Sequence, residues 1–285
     1  MKYFFEQERK VFVDLRHITK IDYDGILLLL AGMVRFKAKK IPFNGNFPES
    51  ILCRQDLVGS GFFDHLRASE FEDEEAYTIR SRRQSFVTHA AKEVVSKSTA
   101  QVIEDAAVAI WGSPRRCMGV QTALNELMLN TVNHATPQKE GDKHWWLSVR
   151  HLPGQKKVKF CFVDFGVGIF RSLESKDKKS KFFRAIPLMR ELFGYVENFE
   201  LLKLIMDGSL HRTISGESYR GQGLPGMVNT MEDNWFSRFH IITNDVYADV
   251  EDKIYKKMDV DFLGTFIYFE VSEANLSYPI ESNDD

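Results

Sequence analysis

Ala123-Leu-Asn-Glu-Leu-Met-Leu-Asn-Thr-Val-Asn-His-Ala135 is the stretch that sets the fold expected of this chain. Leu124, Leu127, Met128, Thr131 and Ala135 recur at helical spacing on one side, while Glu126, Asn130 and Asn133 fall together on the other. A carboxylate and two amides on one stripe are poor core residues. They suit a metal–phosphate site, where the carboxylate orients or deprotonates a nucleophile and an amide oxygen serves as a hard ligand for magnesium. A solvated helix face would explain any one of them taken singly.

Downstream, Val158-Lys-Phe-Cys-Phe-Val-Asp-Phe-Gly-Val-Gly-Ile169 is an apolar, partly alternating run ending in an acid and two spaced glycines. It predicts a buried strand entering a tight turn whose backbone can approach a ligand closely. An Asp at such a strand end can accept a hydrogen bond from an exocyclic amine. Tyr219-Arg-Gly-Gln-Gly-Leu-Pro-Gly-Met227 then precedes a helical pattern through Val228 and Met231. Glycines ahead of a helix leave backbone N–H groups free to face an anion, and Pro225 suits the first turn. Gly264-Thr-Phe-Ile-Tyr-Phe-Glu-Val271 reads as a strand opening with a small hydroxyl residue.

These four pieces, in this order across residues 115–271, resemble the boxes of the GHKL ATPase superfamily, which includes gyrase B subunits, histidine kinases and anti-sigma-factor serine kinases. The Asn130–Ala135 segment, with His134 before the small residue, is most similar to the two kinase branches. The resemblance implies an α/β sandwich of the Bergerat type over residues 113–275, with helices on one face of a mixed sheet and a lid over 170–219. It implies ATP and magnesium as cofactors. Glu126 would be the general base or water-orienting carboxylate, Asn130 the magnesium ligand, and Asn133 a phosphate contact. Asp164 would accept from the adenine amino group, with Gly166 and Gly168 letting the chain pass beside the base. Gly221, Gly223 and Leu224 would present amides to the phosphates, and Thr265 would hold the water or Asp near adenine. Arg220 is either a phosphate-neutralising cation or an exposed lid arginine, and His134 is expected to be structural.

The N-terminal part carries a second pattern. Lys10–Leu15 is strand-like, Gly25–Lys40 is helical with a basic end, residues 41–47 suggest another strand and 50–66 a second helix. Val13-Asp-Leu-Arg-His-Ile-Thr-Lys-Ile-Asp-Tyr-Asp-Gly25 resembles the start of a STAS-type domain, the fold of anti-sigma-factor antagonists, over roughly residues 8–68. Where that family places a phosphate-accepting Ser, this chain has Asp24, which is either a charged mimic or a helix N-cap acid. Residues 1–75 are therefore expected to form a small STAS-like α/β domain. Residues 76–112 are expected to be a linker and lead-in helix, with helical spacing from Ser85 to Ile110 through Phe86, Ala90, Val94, Val102 and Ala106. Ser113-Pro114 is expected to start the Glu126 helix, and 276–285 to be an acidic tail. His89 lacks the flanking acid and downstream proline of a phosphoacceptor histidine. A helical pattern from Phe182 to Met206 is expected within the lid, closing over nucleotide.

With 285 residues, 44% of them hydrophobic, the chain can bury about two domain cores. Its net charge of −2 carries no nucleic-acid signature. Cys53, Cys117 and Cys161 lack metal spacing and read as reduced thiols; with no signal-peptide pattern and an apolar maximum of only residues 26–34, a cytoplasmic location is expected, without membrane association. Three function classes follow: an ATP hydrolase or ATP-gated clamp, a partner-switching protein serine/threonine kinase, and a binding module without turnover. Glu126 disfavours the third but does not separate the first two, since water and serine need the same geometry. A protein partner is expected, and a homodimer is compatible.

Overall fold

A computed structural model of the chain describes residues 9–68, 77–80, 85–91, 96–134, 144–174, 191, 197–208, 223–276 and 278–279. Its centre is a six-stranded sheet built from β3 (Tyr77–Arg80), β4 (Ser85–Ala91), β6 (His144–Leu152), β7 (Lys157–Asp164), β8 (Ser237–Asp249) and β9 (Ile254–Ser272). The strand order is β3-β4-β6-β7-β9-β8, antiparallel at each junction. Parallel pairing occurs in a separate two-stranded sheet of β1 (Val11–Val13) and β2 (Phe43–Gly45). The α/β class expected from the sequence holds, with both kinds of pairing present.

Successive side chains of a strand point to opposite faces, and here both faces are buried. On one face Trp145, Leu147 and Val149 of β6 join Val158, Phe160 and Phe162 of β7 and Ile267, Phe269 and Val271 of β9. Among the described residues, α4 (Ser96–Trp111), α5 (Met118–His134), α6 (Ile169–Glu174), α7 (Asn198–Met206) and α8 (Leu224–Glu232) cover them. The intervening residues Trp146, Cys161, Val163 and Phe266 face the other way, against Ile26, Leu27, Leu30, Ala31 and Val34 of α1 (Tyr23–Ala38). Trp145 and Trp146 are neighbours in sequence and both fully buried, which requires a layer on each side. The described helices of residues 113–275 all pack on the first face, and the helix on the second, α1, belongs to the N-terminal segment. The N-terminal segment shares its core with the large sheet, and its leucine run Leu27–Leu30 is consumed by that contact.

Local chemistry explains the element ends. The Asp22 side chain accepts from Gly25 N at 2.9 Å and caps α1, so the cap is Asp22; Asp24 lies in the first turn. The helix expected over 50–66 is two, α2 (Ile51–Gly59) and α3 (Phe62–Ala68), because Gly61 adopts φ 83° between them.

Three expectations fail for identifiable reasons. Residues 85–91 form β4, whereas the sequence predicts helix there: Phe86 and Ala90 are four apart, a spacing common to one helical turn and to two strand steps. The β-branched pair Val87-Thr88 between them favours the strand. Residues 76–112, read as linker and helix, therefore supply two strands of the main sheet before α4 begins at Ser96. Ser113-Pro114 does not start the Glu126 helix; Arg115–Arg116 form β5, paired with β10 (Tyr278–Pro279), and α5 starts at Met118. The fixed φ of proline suits an extended entry as well as a helix start. The acidic tail accordingly has one short ordered piece at 278–279, with 280–285 outside the described residues.

Candidate functional site

The expected site residues fall into two described clusters. The first surrounds the end of β7. Asp164 lies directly across from Thr265 on β9, whose hydroxyl and backbone N–H act to lower its carboxyl pKa. Gly166 N–H donates to Asp164 Oδ1 at 2.8 Å. Burial pushes the Asp164 carboxyl up to about 6, opposed by the hydrogen bonds from Gly166 and Thr265 and by the charge of Arg35. The residue keeps some exposure at the end of β7.

This arrangement depends on glycine. Gly264 has φ 98°, and a Cβ there would overlap Asp164 O and stand 2.7 Å from Phe165 Cα. Without a side chain at 264 the two strands approach closely enough for Thr265 to reach Asp164. Gly168, at φ 79°, is pressed against the Asn244 amide, whose Cγ would lie 2.8 Å from an added Cβ.

Residues from β8 and α1 hold the turn from behind. Thr243 Oγ1 accepts from Ile169 N and donates to Gly264 O, both at 3.1 Å, and Asn244 Nδ2 donates to Val167 O at 3.1 Å. From α1, Arg35 Nη1 donates to Phe165 O at 3.2 Å, and its guanidinium lies 5.4 Å from the Phe165 ring centre.

The second cluster joins α5 to α8. Glu126 accepts from Gly223 N–H at 3.1 Å across 97 residues of sequence. Gly223, at φ 78°, is the N-cap of α8 and offers no side chain to the free amides of the first turn; Pro225 occupies that turn. Thr122, Ala123 and Glu126 face Gly226, Met227, Asn229, Thr230 and Asp233 across a cleft of about 220 Å³. Leu224 packs at the edge of the core. Asn130 lies one turn beyond Glu126 on α5 and is half-buried. The apolar stripe of that helix is as expected, with Leu124, Leu127, Met128 and Thr131 buried.

Comparison with protein-family models and with curated proteins finds no match for this chain.

The Asn133 and His134 side chains, Ala135, Arg220 and Gly221 lie outside the described residues, as do the side chain of His89 and most of 170–219. Of the expected lid, α7 is described, a helix inside the expected 182–206 pattern. Leu201, Leu202, Ile205 and Met206 are buried in the main core, and the reciprocal cap between Glu197 and Glu200 closes the helix start. This helix is a wall of the domain.

Thr243, Asn244 and Arg35 were not legible as site residues. Arg35 reads in sequence as a basic helix end. For β8 a signal exists in retrospect: buried positions run 239, 241 and 243, then 246 and 248, so the phase slips at the bulge around Asn244. Among the described residues no helix is long and apolar enough to cross a membrane, and no three His, Cys, Asp or Glu side chains converge as a metal site.

Proposed function

We propose that this chain is a magnesium-dependent ATP-binding protein of the GHKL type, with a STAS-like segment packed behind the sheet, and that it hydrolyses ATP or transfers its phosphoryl group in signalling to a protein partner. The observation that carries this reading is the pairing of Asp164 with Thr265, enforced by Gly264, at the mouth of a desolvated turn. A carboxyl so placed accepts from an exocyclic amine and discriminates against a carbonyl at the same position, which favours adenine over guanine.

The second cluster fits the phosphate end. Gly223 N–H already donates to one anionic group, the Glu126 carboxylate, and the uncapped amides of α8 suit others. Asn130 would hold magnesium together with phosphate oxygens and water, as is usual for an ion that keeps much of its hydration. The ion supplies charge neutralisation at the phosphates. Glu126 orients or deprotonates the attacking hydroxyl once it leaves Gly223, and Asp164 with Thr265 fixes the base.

A protein kinase of the partner-switching type is the second reading. It is favoured by the contact of Arg35 with Phe165, through which the N-terminal segment touches the nucleotide turn. Incubation with γ-labelled ATP and magnesium, with and without cell extract, separates the two. Free phosphate alone indicates hydrolysis and a labelled protein indicates a kinase. Failure to bind ATP at millimolar concentration by calorimetry refutes both. A cytoplasmic setting and a homodimer belong to the same proposal.

A further inference from the structure

We propose that Asn244 is a positioning residue for adenine recognition, a buried clamp that holds the Gly166–Gly168 turn so that Asp164 presents its carboxyl. This deepens the nucleotide reading and rests on it.

Several observations converge on Asn244. It is only 4% exposed, yet it is a polar residue at a break in a strand. Its backbone adopts φ 50°, a left-handed conformation that Asn tolerates better than most residues but that a regular strand does not require. The bulge turns its side chain toward the β7 turn. There Nδ2 donates to Val167 O at 3.1 Å, and the amide fills the space that a side chain at Gly168 would occupy. Its Oδ1 is buried without a hydrogen-bond partner. An orphaned buried acceptor and a left-handed backbone are each unfavourable, and the contacts of Asn244 to the β7 turn offset them.

Those contacts bracket the turn. Asn244 fixes Val167, and its neighbour Thr243 fixes Ile169 while also bonding Gly264 O, the carbonyl beside Thr265. The two β8 residues thereby tie the turn after Asp164 to the strand that supplies its Thr265 partner. With the turn pinned at 167 and 169, Gly166 N–H stays on Asp164 Oδ1, leaving the rest of the carboxyl to meet a base. Without the pin, the turn opens to water and the carboxyl loses its fixed direction.

The test uses the full chain with ¹³C-labelled aspartate carboxyls, the Asp164 resonance being assigned by its absence in Asp164→Asn. Asn244→Gly removes the clamp and relieves the positive φ; Asn244→Ser stays neutral but withdraws the Nδ2 donor, and it decides the matter if the glycine variant does not fold. In each variant the Asp164 titration midpoint should move down from about 6 toward the ordinary carboxylate range as water enters. Gly168 amide exchange should quicken, and ATP affinity should fall about tenfold, as for loss of one hydrogen bond to a buried group. A residue serving only stability would lower Tm and leave the Asp164 midpoint in place; an unchanged midpoint in the folded variants overturns the proposal. Wild-type protein that fails to bind ATP would overturn the nucleotide reading and, with it, the assignment to adenine, while the midpoint still reports separately whether the clamp exists.

Discussion

Asp164→Asn is expected to make the ligand-free protein more stable near neutral pH while weakening its hold on adenine. The carboxyl titrates at about 6 in the folded chain against an ordinary value of 3.8, with burial as the leading cause. A difference of about two units corresponds to about 3 kcal/mol at 1.36 kcal/mol per unit. The sign follows from which form burial disfavours. Well below 3.8 the carboxyl is protonated in both the folded and unfolded chains, and its titration makes no difference to stability. As pH rises from about 4 to about 6 the unfolded chain releases the proton first, so folding loses stability, and above about 6 the loss is complete. Asparagine has nearly the same shape, stays neutral at every pH, and can still accept from Gly166 N–H. Urea unfolding of both proteins at about pH 4 and about pH 8 should therefore show little difference at the lower pH and a gain approaching 3 kcal/mol for the variant at the higher. Asp24 is also pushed up to about 6, by burial and by Asp22 against Lys159 and Arg150, but it is present in both proteins and cancels. A variant no more stable than wild type at the higher pH, or more stable by the same amount at both, would show that Asp164 is not a desolvated carboxyl. Calorimetry with ATP completes the test: the variant should lose affinity for ATP, and unchanged affinity would remove Asp164 from base recognition.

Gly264→Ala should destabilise the fold by roughly 3–5 kcal/mol, combining a strained positive φ with overlap against backbone atoms that cannot yield, and urea titration measures it. A loss below about 1 kcal/mol would mean that β7 and β9 do not approach as described. Glu126→Ala should retain ATP binding and abolish turnover, and phosphate release equal to wild type would remove Glu126 from catalysis. Because the carboxylate now occupies Gly223 N–H, the same variant should bind ATP at least as tightly as wild type. Asp24→Asn should stabilise the chain above about pH 6 for the reason given for Asp164, by about 3 kcal/mol at most, and identical urea midpoints there would contradict the burial of Asp24.

How much of this was legible depended on whether a residue's surroundings are local. The Glu126 helix was legible because its apolar stripe is periodic, and the β7 strand because an alternating run ends in Asp and spaced glycines. The Ser85–Ala91 strand was not, because Phe86 and Ala90 satisfy both periods. β6 was missed although Trp145-Trp146 stands out, since both its faces are buried, as are those of β7, and no acid with spaced glycines follows it to mark a strand end. The site divides the same way. Asp164, Gly166 and Gly168 advertise a turn, and Gly264-Thr265 a strand start. Their partners Thr243, Asn244 and Arg35 reach the turn after Asp164 across 74 or more residues and carry no composition of their own.

Burial of both sheet faces has a consequence for coupling across the sheet. The residues that define the turn belong to β7, and β7 presents Phe160 and Phe162 to the helices of one layer and Cys161 and Val163 to α1 of the other. A displacement of α1 must therefore either expose Val163 and Phe165 or carry them along, and Arg35 ties α1 directly to Phe165 O. If nucleotide occupancy changes the turn, α1 bears the change, and a partner docking on the N-terminal segment biases the turn in return, because coupling between two binding sites is reciprocal. Arg35→Ala tests this link, with hydrogen exchange in α1 as the deciding readout, because the Arg35 charge also acts on the Asp164 carboxyl. ATP affinity should shift in the variant while hydrogen exchange in α1 ceases to respond to ATP. An exchange response equal to wild type would place the coupling elsewhere, leaving the shared core as packing alone.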